Sequence, residues 1–79
     1  MAKLSVTNGY SKEVPGLGKV RPFCALSEKR ITRCTRETLR AKYGNAAVEV
    51  SCSANFDGTN WTGACEINGE PLRYRISPQ

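Results

Sequence analysis

Apolar and polar residues alternate with a period of two through the last third of the chain, residues 46–77. That period is the signature of strands with one face buried and one in water. Asn68-Gly69 divides the stretch, and this dipeptide suits a two-residue hairpin turn with positive φ at both positions. With Asn68-Gly69 as the loop, Ile67 faces Glu70, Cys65 faces Leu72, Gly63 faces Tyr74 and Trp61 faces Ile76. One face then carries Trp61, Cys65, Ile67, Leu72, Tyr74 and Ile76, and the other carries Thr62, Ala64, Glu66, Arg73 and Arg75. Gly63 offers no side chain, which leaves room on its face for Tyr74 or an approaching helix.

A second turn cluster, Asp57-Gly58-Thr59-Asn60, precedes Trp61. Pairing Phe56 with Trp61 sets Ala54 opposite Gly63, Cys52 opposite Cys65 and Val50 opposite Ile67. Val48, Val50, Cys52, Ala54 and Phe56 thereby join the same apolar face. The two turns, read separately, agree on which side is buried, and a one-residue slip would turn the whole apolar set to water. The stretch reads as a three-stranded antiparallel meander.

The period changes upstream. Over residues 27–43, Ile31, Cys34, Thr35, Thr38, Leu39 and Ala41 fall on one side of a helix. Lys29, Arg33, Arg36 and Arg40 fall within about 60° of one another on the opposite side. Ser27 suits the N-cap, Glu28 the first turn and Gly44-Asn45 the end. Ile31, Thr32, Thr35 and Thr38 are β-branched and lower helix propensity. A rival parse makes Arg30–Cys34 a strand before a short helix of residues 36–43, but it wastes the alignment of the arginines. Earlier still, residues 3–9 alternate weakly and suggest a short strand ended by Asn8-Gly9. Residues 10–19 read as loop, and residues 20–25 as an edge strand limited by Pro22.

A helix followed by a meander packs its apolar side on the apolar face of the sheet. The expected fold is α+β: one amphipathic helix on a three- to five-stranded antiparallel sheet that ends in the meander. The expected organisation is a single small domain over residues 1–79, with strands and loop in 1–26, helix in 27–44 and meander in 46–77.

Charge adds a direction. The net charge is +5, yet residues 19–42 alone hold eight Lys/Arg against two Glu. A local basic excess suits acidic partners such as an acidic protein surface or nucleic acid, although charge of this kind also keeps a small protein soluble. Arg is favoured at protein interfaces, so Lys29, Arg33, Arg36 and Arg40 are the first candidate surface. Arg73 and Arg75, on the other side of the sheet, are the second. Nucleic-acid binders often add exposed aromatic rings, but the register turns Phe56, Trp61 and Tyr74 inward, and only Tyr10 and Phe23 are left for stacking.

The chemistry of catalysis is thin. The chain contains no histidine, so the usual general base near neutral pH is missing, and no serine or cysteine has a His to activate it. Gly16-Leu17-Gly18-Lys19 ends like a phosphate loop but lacks the first glycine at the required distance and has Val20 in place of Ser/Thr. No cofactor is implied. No apolar run approaches the ~18–20 residues of a membrane span.

Four cysteines remain: Cys24, Cys34, Cys52 and Cys65. Their spacing contains no CxxC and does not suit zinc. An even count in so short a chain favours disulfide staples and an oxidising compartment, while the absence of a secretory signal favours thiols. The register permits Cys52–Cys65, leaving Cys24–Cys34; a bridge from Cys34 to Cys52 or Cys65 is equally open. Asn60-Trp61-Thr62 also fits the N-glycosylation acceptor pattern, a short match that arises easily by chance. The function expected from all this is a small non-enzymatic interaction protein, disulfide-stabilised, secreted as a mature effector or inhibitor that binds a protein. The alternative is an intracellular phage or bacterial accessory protein that binds nucleic acid through the basic helix face.

Overall fold

Asn68 and Gly69 take φ values of 53° and 81°, the positive pair that a tight hairpin turn demands. In the computed structural model, which describes residues 2–14, 17 and 25–78, this turn joins strands β4 (Trp61–Ile67) and β5 (Glu70–Pro78). Their register is the expected one throughout, with Ile67 opposite Glu70, Cys65 opposite Leu72, Gly63 opposite Tyr74 and Trp61 opposite Ile76. Strand β3 (Val48–Phe56) enters from the other side through the turn at residues 57–60. There the Asp57 carboxylate accepts hydrogen bonds from the Thr59 and Asn60 amides at 2.9 and 2.7 Å.

Strand β1 (Ala2–Val6) supplies the neighbour that the meander lacks, and β2 (Ser11–Val14) follows it. All pairings are antiparallel, and the sheet runs β2-β1-β5-β4-β3. The short β2 lies within the stretch read above as loop; its one buried residue is Val14, which is too little alternation to see in sequence. Strand β5 is therefore central and β3 is an edge. The strand expected at residues 20–25 and the phosphate-loop likeness at residues 16–19 lie almost wholly outside the described residues.

Helix α1 (Glu28–Tyr43) is continuous, which removes the rival parse with a strand at Arg30–Cys34. Ser27 caps it by accepting the Arg30 amide at 3.2 Å, and Gly44 ends it with φ 101°. Its buried residues are Ile31, Thr32, Thr35 and Leu39, while Ala41 is exposed and Cys34 and Thr38 are half-buried. The buried arc is thus turned by about 60° from the expected one. Two contacts explain the rotation. The Thr32 hydroxyl donates to the Ser51 carbonyl, and the Arg40 guanidinium donates to the Val48 carbonyl, each at 3.4 Å. They hold one flank of α1 along β3, with helix and strand running in opposite directions.

The core lies between α1 and the sheet. Leu4, Ile76, Tyr74, Val48, Ile31 and Leu39 are almost wholly buried. Tyr74 fills the space over Gly63: a Cβ at Gly63 would stand only 2.5 and 2.6 Å from ring atoms Cζ and Cε2 of Tyr74. At the far end, Tyr10 and Tyr43 meet edge to face with ring centres 5.7 Å apart, and Asn8 donates to the Tyr43 hydroxyl at 3.2 Å. These contacts tie the helix C-terminus to the β1–β2 hairpin.

Candidate partner-binding surfaces

The rotation of α1 decides what the basic residues can do. Lys29, Arg33 and Arg36 lie on the flank beside β3 and, with Glu28, Thr32 and Cys52, line a groove of about 500 Å³. Lys29 and Arg33 are exposed and Arg36 is half-buried. None of these three makes an ion pair or side-chain hydrogen bond among the described residues. Arg40 is the exception in the row. It is half-buried and spends its guanidinium on Val48, and its Nε is buried without a partner. The expected row of Lys29, Arg33, Arg36 and Arg40 thus splits into three cations facing a groove and one that clamps helix to strand.

The other wall of the groove is a bulge. Between Val50 and Ala54 the pairing shifts, so that residues 51–53 stand opposite Ala64 alone. Beyond it Val50 faces Cys65 and Val48 faces Ile67, two residues off the expected Val50–Ile67 and Cys52–Cys65 register. Extra residues of this kind bend an edge strand outward and blunt its pairing with another chain. Sequence alternation cannot reveal it, because the apolar positions on either side keep the same parity.

The bulge also settles the cysteines. Cys52 is exposed at the edge, Cys65 is buried on the core face and Cys34 is half-buried on α1, and all three are free thiols. The Cys52–Cys65 bridge that the expected register permits is not formed, since the bulge carries Cys52 out of line with Cys65. A bridge from Cys34 to either of them is likewise not formed, and Cys24 lies outside the described residues. Burial raises the pKa of Cys65, and that of Cys34 as well, where a Thr38 hydrogen bond opposes it.

The second surface is the uncovered face of the sheet. Arg73 and Arg75 are exposed there on the central strand β5. Ser5 and Thr62 flank Arg75 on the neighbouring strands, and Thr7 accepts the Arg73 amide at 3.1 Å. These residues line a depression of about 410 Å³. Reading the sequence alone sets Thr62 on one face with Arg73 and Arg75 but misses Ser5 and Thr7. The weak alternation of residues 3–9 contains both, but nothing local to either segment announces that β1 pairs with β5. Toward one corner the same face turns acidic, with Glu49 directly opposite Glu66.

No aromatic side chain stands on this face among the described residues: Tyr74, Trp61 and Phe56 point to the core side, and Tyr10 packs on Tyr43. Phe23 lies outside the described residues. Nor, among the described residues, does any cluster of three or more His, Cys, Asp or Glu exist to hold a metal, or any helix long and apolar enough to cross a membrane. Comparison with protein families, with characterised proteins and with solved structures finds no match to this chain.

Proposed function

We propose that this chain is a small non-enzymatic binding protein that grips an acidic protein segment with Lys29, Arg33 and Arg36. The observation that carries the proposal is that these three cations stand unpaired, among the described residues, along a groove walled by α1 and the β3 bulge. Held on a capped helix, they are pre-positioned, so a partner carboxylate meets charge without first ordering the chain. Arg forks also match carboxylates in two-pronged fashion. A protein is favoured over nucleic acid because, among the described residues, the groove lining and the uncovered sheet face carry no aromatic ring for bases to stack on. The secreted, disulfide-stapled form of this reading needs a bridge that the described residues do not make, so the proposal rests on the groove and not on staples.

The test is amide chemical-shift mapping with poly-glutamate and, separately, with a single-stranded oligonucleotide of matched charge. The proposal expects poly-glutamate to move the signals of residues 28–36 and 51–53, and the oligonucleotide to bind more weakly at equal ionic strength. Tighter oligonucleotide binding, with affinity falling steeply as salt rises, would overturn it in favour of a nucleic-acid partner.

A further inference from the structure

The uncovered sheet face carries a second, independent concentration of donors. Arg73 and Arg75 are two positions apart on β5, so their side chains leave the same face about 6.5 Å apart, within reach of one ligand. Their neighbours on that face are small and hydroxylic. Ser5 and Thr62 flank Arg75. Thr7 already accepts the Arg73 amide at 3.1 Å, which leaves its own proton to donate outward. Neither arginine has an ion-pair partner among the described residues. Glu66 stands diagonally from Arg73 without pairing to it. Asp57, the carboxylate in reach of Arg75, is engaged by the Thr59 and Asn60 amides.

We infer that Arg73 and Arg75, with Ser5, Thr7 and Thr62, form a binding site for a phosphoryl group. Two guanidinium forks and three hydroxyls offer more donors than a carboxylate has acceptor sites, whereas a phosphate dianion, with its charge and oxygens spread over a tetrahedron, can engage both forks at once. The central position on β5 matters too. Neighbouring strands lie about 4.8 Å away on each side, so donors converge from three strands onto one spot in the depression. The Glu49–Glu66 corner repels an anion placed elsewhere on the face.

Amide chemical shifts recorded during titration with inorganic phosphate, at ionic strength held constant with sodium chloride, test the site. Saturable shifts centred on Ser5, Thr7, Thr62, Arg73 and Arg75 are expected. They should weaken at least about tenfold, or 1.4 kcal/mol, in the double variant Arg73→Gln, Arg75→Gln, whose unchanged far-UV circular dichroism shows it folded. The variant Arg33→Glu, Arg36→Glu should leave them intact, so loss of the groove proposal and loss of this one are told apart. Repeating the titration with a phosphoserine peptide and its unphosphorylated form separates the two sources of the group: a phosphopeptide bound more tightly than inorganic phosphate assigns it to a polypeptide, and equal binding assigns it to the free anion. Shifts that chloride reproduces, or that centre on Lys29–Arg36, refute the site.

Discussion

Gly63 shows how much one side chain decides. Tyr74 crosses the space where its Cβ would be, at 2.5 Å from Cζ, so Gly63→Ala forces the ring or the strand to move. The expected loss is about 1–3 kcal/mol, as for other overpacked cores, read as a lower urea midpoint with the cooperativity retained. The cysteines report on the same core by their reactivity. Cys52 should react with a thiol reagent first, Cys34 more slowly and Cys65 only as the protein opens, because their exposure falls in that order; peptide mapping after partial alkylation checks it. Equal rates for Cys52 and Cys65 would contradict the bulge. Burial also raises the pKa of Cys65 and Cys34 above 9.0 and of Tyr74 above 10.0. As pH rises, the unfolded chain releases these protons before the folded chain does. The stability they contribute is therefore complete below about pH 9 and lost as pH climbs through the folded values. Urea midpoints should fall from pH 8 to pH 10.5, and less steeply in Cys65→Ala.

At the scale of elements, the meander was legible and its setting was not. The Asn68-Gly69 turn, the β4–β5 register, the buried Trp61 and Tyr74 and the span of α1 all follow from local period and turn chemistry, because each depends on residues close in sequence. Three features depend on distant partners and were hidden. Strand β2 has a single buried residue, β1 reaches its place only through a long-range pairing with β5, and the bulge at residues 51–53 keeps the parity of the apolar positions around it. The rotation of α1 has the same origin: helical period locates an apolar side, but Thr32 and Arg40 find their carbonyls only once β3 lies alongside. That rotation turns an outward basic stripe into the wall of a groove. The turn itself is testable. Asn68→Val puts a β-branched residue where φ is 53° and should cost about 1–2 kcal/mol, whereas Ser27→Ala should cost about 1 kcal/mol by uncapping α1, each read from the thermal midpoint. A valine at Asn68 tolerated without loss would contradict the left-handed turn.

Across the whole molecule, the helix and the sheet present different cations to different sides. One set, Lys29, Arg33 and Arg36, borders a groove with an edge strand as its far wall; the other, Arg73 and Arg75, stands among hydroxyls in a depression of the uncovered sheet face. The core between them fixes both sets, because β5 holds Tyr74 inward and its arginines outward while α1 turns Ile31 and Leu39 inward and its cations to the flank. The two sets are therefore separable by mutation. That separation is read from the affinity of fluorescent poly-glutamate for the wild type, for Arg33→Glu, Arg36→Glu and for Arg73→Glu, Arg75→Glu at one fixed salt concentration. The expected loss is at least about tenfold for the helix pair and less than about twofold for the sheet pair; equal losses, or the larger loss at Arg73 and Arg75, would contradict two separate sites.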